Sequence, residues 1–106
     1  MGSNRMDNNQ GAKIILQNGH ALISGLLTFN TVAKLRKSGD QLLRERDHLI
    51  FDLKGVTRCD SSAVTVLIAW TRLSRNKGKT VIFINLPRQL YEIAKVSRLD
   101  HLLPIS

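Results

Sequence analysis

Three consecutive residues, Asp60, Ser61 and Ser62, place a carboxylate and two hydroxyls directly before an apolar segment with helical spacing. Such residues favour the start of a helix, where free backbone N–H groups and a partial positive charge attract an anion. A hydroxyl on that first turn can cap the helix or accept a phosphate, which adds a charge of about −1.5 to −2. From the residues alone, capping is the commoner use, and phosphorylation of Ser61 is the more specific hypothesis.

The other residues that could do chemistry are not grouped as a catalytic site. Cys59 is the single cysteine, so this sequence can form neither an intramolecular disulfide nor a Cys-based tetrahedral zinc site, and the three histidines are scattered. We predict that Cys59 packs in a loop, and that Asp52, at a strand end, and Asp60 serve caps and loop hydrogen bonds. The sequence therefore indicates a protein that is not an enzyme and has no cofactor or metal site of its own.

The chain is strongly basic, with 16 Lys+Arg against 8 Asp+Glu and a formal net charge of +8. Between Lys54 and Arg98 nine basic residues face two acidic ones, so +7 of the excess lies there. Such a charge suits nucleic acid, an anionic membrane surface or an acidic protein face. Because aromatic residues make up only 5% of the chain and form no base-stacking pattern, nucleic acid is the disfavoured partner.

The length and the hydrophobic periodicity indicate how these residues are positioned. One hundred and six residues suit one small domain, and the apolar stretches fall short of the roughly 20 residues of a membrane span. An Asn18-Gly19 turn signal joins two short strands, and strands and helices then alternate, which predicts an α/β sandwich in the order ββαβαβα. We predict strands over residues 13–17, 21–25, 49–53 and 81–84, and helices over residues 30–46, 63–76 and from Pro87 onward.

Details of these elements carry further predictions. Thr28 or Asn30 is expected to cap the first helix, Gly39 to weaken its middle, and Gly78 to end the second helix in a left-handed conformation. Residues 54–59 are expected to form a loop that leads to Asp60.

The polar N-terminus has no apolar core segment, so it does not read as a signal peptide, and the default location is the cytoplasm. Residues 1–12 are expected to be a disordered leader, with residues 1–5 in front of Met6 as a candidate cloning remnant. Residues 13–106 are expected to form a single domain.

The stretch over residues 52–64 resembles the signature of STAS domains, in which a strand ending in Asp-Leu leads to Asp-Ser/Thr-Ser/Ala-Gly-Leu at a helix start. The resemblance continues through residues 75–79, 86–95 and 99–104, and with the hairpin and residues 26–29 it is closest to the MlaB branch. It covers residues 13–105. It implies a SpoIIAA-like STAS fold, with helices packed against a mixed four-stranded sheet. Ala63 departs from the pattern, since the family has glycine there.

The resemblance also implies a function. MlaB proteins are STAS subunits of bacterial phospholipid-transporting ABC systems that maintain outer-membrane lipid asymmetry. The chain is thus expected to bind and regulate the cytoplasmic ATPase, peripheral to the inner membrane, with ATP and Mg²⁺ held by that partner. The residues expected to contact the partner are Arg58, Asp60, Ser61, Ser62 and Thr65.

The alternative is an anti-sigma-factor antagonist, in which a partner kinase phosphorylates Ser61. Ala63 favours the transporter reading, because its methyl group is expected to hinder close approach by a kinase-type partner. Trp70 has two readings, core packing or an exposed anchor for the partner, with the core slightly favoured.

Overall fold

The computed structural model describes residues 11–106, so residues 1–10 of the predicted leader lie outside the described part of the chain. Ala12, the last residue of that predicted leader, opens the first strand. The elements follow the predicted order ββαβαβα. They are β1 (Ala12–Gln17), β2 (His20–Leu27), α1 (Val32–Glu45), β3 (His48–Cys59), α2 (Ser61–Asn76), β4 (Thr80–Ile84), α3 (Arg88–Val96) and a 3₁₀ helix (Asp100–Leu102).

The four strands form one mixed sheet in the order β1-β2-β3-β4, with β1 antiparallel to β2 and the other two pairings parallel. The hairpin turn is as predicted: Asn18 (φ 53°) and Gly19 (φ 81°) both take the left-handed conformation that a two-residue hairpin loop requires. Helix α2 packs between α1 and α3. On the sheet face away from the core, Ile15 and Ile82 stay 49% and 40% exposed.

The strand β3 is longer than predicted, because the expected loop over residues 54–59 continues the strand. Two β-bulges each insert one extra residue into β3 relative to β2. One lies opposite the step from Leu22 to Ser24, and the other opposite the step from Gly25 to Leu26. Asp52 therefore lies within the strand instead of ending it. The pairing continues to Leu27 opposite Cys59, which brings the end of β3 beside the end of β2.

The helix α1 begins later than predicted. Its N-cap is Thr31, not Thr28 or Asn30, and the Thr31 side chain makes no capping bond to the helix. Instead, Thr31 Oγ1 donates to the Leu26 carbonyl (2.7 Å) and accepts from the Thr28 N–H (3.0 Å). These bonds fix the loop between β2 and α1.

The core is centred on Trp70, which is fully buried, so the core-packing reading is confirmed. Its ring stacks on Phe51 with centroids 4.4 Å apart and planes 2° apart, and Phe51 contacts Phe83 at 5.4 Å. The indole Nε1 donates to the Arg36 carbonyl at 3.3 Å. Trp70 thereby joins α1, α2 and the centre of the sheet.

The end of α2 follows the prediction, since Gly78 has φ 68°. Lys79, just beyond this end, interacts with a different helix, α1. Its Nζ donates to the carbonyl oxygens of Leu43 (2.5 Å) and Arg44 (3.0 Å), in the last turn of α1. A cation at this position satisfies carbonyls that have no partner within their own helix.

Substituting alanine for Lys79 is therefore expected to lower the free energy of unfolding by about 1–2 kcal/mol, because two charge-assisted hydrogen bonds are lost. Lys77→Ala is the matched control. Lys77 is exposed, and its side chain makes no hydrogen bond among residues 11–106, so its removal should change stability by less than about 0.5 kcal/mol. Urea denaturation of both variants measures the difference, and equal effects would contradict the capping role.

Candidate functional site

Asp60 connects the start of α2 to the loop between β2 and α1. As N-cap of α2, it accepts the Ser62 N–H on Oδ1 (2.8 Å), while Oδ2 accepts the N–H of Phe29 (3.1 Å). The Asp60 N–H donates in turn to the Leu27 carbonyl (3.3 Å). The predicted cap is confirmed, and the same carboxylate holds two segments in a fixed relative position.

The charge of this carboxylate is stabilised by its hydrogen bonds. Burial by itself raises the pKa of Asp60, but the bonds from Phe29 and Ser62 outweigh it and hold the pKa below the ordinary value of 3.8. Both oxygens are thus used within the chain. A contact between Asp60 and a partner remains a prediction.

The variant Asp60→Asn tests this arrangement. An amide can replace the cap to Ser62 but presents N–H₂ where Phe29 donates, so we expect a loss of about 1–2 kcal/mol at pH 7. Because the pKa of Asp60 is lower in the folded state, the ionised carboxylate stabilises the fold at pH values above its unfolded-state pKa of about 3.9. This stabilisation is lost as the pH falls through the folded-state pKa. The stability difference between wild type and Asp60→Asn should therefore shrink below about pH 4.

Urea denaturation at pH 7, 5, 4 and 3 measures that difference. Asp47→Asn, at an exposed loop position, serves as the control and should change stability little at any of these pH values. A wild-type advantage over Asp60→Asn that persists undiminished to pH 3 would contradict the account.

The side chains of Ser61 and Thr65 are exposed on the first two turns of α2. Among the described residues the Ser61 hydroxyl makes no hydrogen bond, while its carbonyl accepts from Thr65 Oγ1 at 3.4 Å. Ser62 is half-buried, and Arg58 is exposed at the end of β3. Four of the five predicted partner-contacting residues therefore keep surface free around the start of α2.

Ala63 does not stand where the sequence predicted. It is fully buried, with its methyl group in the core, because the first turn of α2 turns this position toward the sheet. The expectation that the methyl group would hinder an approaching partner is wrong. Ala63 accordingly gives no reason to prefer one kind of partner over another.

Phe29 belongs to this surface and was missed from the sequence. Its side chain is 77% exposed, although its backbone N–H is held by Asp60. It borders a groove of about 280 Å³ between α1 and α2. A single aromatic residue in a polar loop has no periodicity that could have signalled this position. The groove is lined by Phe29, Val32, Ala33, Arg36, Ser62, Thr65 and Val66.

Cys59 lies beneath the site and is 4% exposed. Burial, and then the negative charge of Asp60, raises the pKa of its thiol, which disfavours the thiolate that a nucleophile needs. Its N–H donates to Gln89 Oε1 (3.4 Å), and its Sγ lies 3.6 Å from the same oxygen. Cys59 thus links the end of β3 to α3, and its packing role is confirmed.

Asp52 is likewise structural. It is 5% exposed, and its Oδ1 accepts the Lys54 N–H (3.0 Å) and the Asn85 side-chain amide (3.1 Å). Burial by itself raises the pKa of Asp52. The two hydrogen bonds and the positive charges of Lys54 and His20 have the opposite and larger effect, so the pKa lies below its ordinary value. Within residues 11–106, no three His, Cys, Asp or Glu side chains form a metal-binding group.

None of the helices between residues 11 and 106 combines the length and apolar character needed to cross a bilayer.

A family model described as "Mlab, STAS domain" matches residues 17–104 of the chain. Comparison with curated protein sequences gives no match. Among solved structures, the chain is similar to the anti-sigma factor antagonist SpoIIAA in its unphosphorylated form (TM-score 0.67, 15% identity, 90% of this chain and 87% of that chain).

Two further structures are similar. One is the Bacillus cell fate determinant SpoIIAA in its phosphorylated form (TM-score 0.64, 15% identity, 90% of each chain). The other is an anti-sigma factor antagonist from Mycobacterium paratuberculosis (TM-score 0.67, 16% identity, 89% of this chain and 82% of that chain). At these identities the likeness is one of fold.

Proposed function

The chain belongs to the Mlab family of STAS domains and has the α/β STAS fold, and from this we propose that it is a non-catalytic subunit that binds and regulates the cytoplasmic ATPase of a bacterial phospholipid-transporting ABC system. STAS domains are generally regulatory and not catalytic. The observation that carries the proposal is the exposed surface at the start of α2, held in place by Asp60.

The side chains at this surface support a protein partner. Ser61 and Thr65 offer exposed hydroxyl groups, Phe29 offers an apolar side chain that is 77% exposed, and Arg58 adds a positive charge. Helix α2 itself contains Arg72 and Arg75 and no acidic residue. An aromatic anchor with arginines beside it is typical of protein interfaces, and the charge suits an acidic partner face.

In this role the subunit stabilises the ATPase dimer or adjusts its rate, while ATP and Mg²⁺ are bound by the partner. The subunit then lies at the cytoplasmic face of the inner membrane only through that partner. Its cellular effect is on the lipid asymmetry of the outer membrane.

Co-expression of the affinity-tagged chain with the ATPase subunit encoded beside it tests the proposal. We expect a stable complex on size-exclusion chromatography and a changed rate of ATP hydrolysis on adding the chain. Deleting its gene should increase outer-membrane permeability. The proposal is wrong if the chain repeatedly purifies without the ATPase and its loss leaves permeability unchanged.

A second candidate function is that of an anti-sigma-factor antagonist controlled by phosphorylation. It is supported by the exposure of Ser61 on the first turn of α2 and by the burial of Ala63, which removes the expected obstacle to a kinase. Incubation with a kinase encoded in the same gene cluster, followed by mass spectrometry, tests it. Phosphate on Ser61 would favour this function, and an unmodified Ser61 would argue against it.

A further inference from the structure

The groove beside Phe29 continues along the helix pair. Its first part has the apolar side chains Val32 and Val66 as walls. A second part, of about 510 Å³, follows along α2, with Ile68, Ala69 and Leu73 among its lining residues and Arg36 as its lining residue from α1. Arg36 and Thr65 line both parts, so the two form one continuous surface, which we call the α1–α2 groove. From Ser62 to Asn76 it runs about 20 Å along α2, at a rise of about 1.5 Å per residue.

The charge of the α1–α2 groove has one sign. Arg36 and Arg72 belong to its lining, and none of the residues that line either part is acidic. Arg36 has one ion pair among the described residues, with Asp40 on its own helix at 3.8 Å, and its side chain stays 57% exposed. Within residues 11–106 Arg72 makes no ion pair. The guanidinium of Arg72 is therefore available to a carboxylate from outside, and the exposed guanidinium of Arg36 can bind one in addition to Asp40.

These features together define the chemistry of what fits. The first part of the groove, whose lining is mainly apolar, can accept the apolar face of a third helix. The second part exposes more polar surface, and its arginines can bind carboxylates in a bidentate manner. A groove of this length matches about four turns of such a helix. Phe29, at the end nearest Ser61, adds an exposed aromatic contact.

We propose that the α1–α2 groove binds an amphipathic helical segment of the partner protein, with an aliphatic or aromatic face and carboxylates along its edges. This inference rests on the proposed function, since it describes how the ATPase subunit would extend its contact beyond the start of α2. It assigns Arg36 and Arg72 as binding residues, in addition to those predicted from the sequence.

The test measures binding of the purified ATPase subunit to the full chain and its variants. The double variant Arg36→Glu/Arg72→Glu should weaken binding at least ten-fold. Lys13→Glu/Lys95→Glu makes the same change in net charge outside the groove, on β1 and α3, and should stay within about two-fold of wild type. The affinity of the neutral variant Arg36→Gln/Arg72→Gln should lie between those of the two charge-reversed variants. Circular dichroism checks that each variant is folded.

A second measurement does not depend on the ATPase. The labelled chain is titrated with two synthetic 14-residue helical peptides of leucine and alanine, one with glutamates and one with lysines on its polar face. The glutamate peptide should shift the amide NMR signals of Ala33, Thr65 and Ala69, and the lysine peptide should not.

The outcomes separate this inference from the proposed function. If the ATPase subunit binds wild type, and the groove variant behaves like the Lys13/Lys95 control, the groove inference is wrong while the proposed function stands. If the ATPase subunit does not bind at all, the proposed function is wrong, and the peptides decide on the groove. Equal shifts from both peptides, or shifts produced only by phosphatidylglycerol vesicles, would overturn the inference.

Discussion

Substituting aspartate for Ser61 is expected to weaken binding of the ATPase subunit at least about 30-fold without unfolding the protein. Ser61 is exposed on the first turn of α2, and its hydroxyl makes no hydrogen bond among the described residues. A carboxylate there suits the positive end of the helix, so the free chain should keep or slightly gain stability. In the complex, however, the charge would be desolvated beside Asp60, and an unpaired charge at an interface costs at least 2 kcal/mol.

Calorimetric titration of the ATPase subunit into wild type and variant measures this loss. Ser61→Ala is the matched control: it removes the hydroxyl without adding charge, and it should change the Kd by no more than a few-fold. If Ser61→Asp binds as tightly as Ser61→Ala, this position lies outside the interface.

Substituting alanine for Gly39 is expected to destabilise the protein by about 2–3 kcal/mol, although the same change stabilises an ordinary helix by about 1 kcal/mol. Gly39 is buried in α1 at the point where α1 crosses α2, and a Cβ there would overlap the indole ring of Trp70. Trp70 cannot move aside, because it stacks on Phe51 at 4.4 Å. The two helices would have to separate.

Urea denaturation measures this effect, and two variants control it. Ser38→Ala, at the neighbouring exposed position of α1, should alter stability by less than about 0.5 kcal/mol. In a Trp70→Leu background, Gly39→Ala should cost clearly less than in wild type, because the smaller side chain leaves room for the methyl group. A stabilising Gly39→Ala, or an equal cost in both backgrounds, would contradict this packing.

Gly39 illustrates what sequence patterns cannot predict, and the turns and caps of the chain illustrate what they can. Gly39 reads as a weak point of a helix, since nothing local shows that Trp70, 31 residues later, packs against it. The Asn18-Gly19 turn and the Gly78 helix end are predictable because each depends on the backbone conformation of one or two adjacent residues. The cap at Asp60 is local in the same way. Its second bond, to Phe29, is not local.

The strand β3 shows a different limit. Its buried residues after Phe51 are Asp52, Leu53, Val56 and Cys59, a spacing that matches neither a regular strand nor a helix. The two insertions relative to β2 cause this, and the lysine, glycine and arginine between the buried positions interrupt the apolar pattern. Pairing with β2 nonetheless keeps the segment extended. That pairing brings Asp60 to Leu27 and Phe29.

The sequence also does not indicate which basic residues are engaged within the fold and which line an exposed surface. Lys79 is engaged inside the molecule at the end of α1, whereas Arg36 and Arg72 line the α1–α2 groove from different helices. The net excess predicts an anionic partner, either an acidic protein face or an anionic lipid surface. Only the packing of α1 against α2 indicates which surface would receive it.

The central claim is that the partner contacts the start of α2 and the adjoining part of α1. Hydrogen–deuterium exchange of the chain, alone and with the ATPase subunit, tests this most directly. We expect slower exchange of amides in residues 28–36 and 57–69 in the complex, with β1 and α3 unchanged. Protection confined to α3 or to the sheet, or no protection anywhere, would contradict the account.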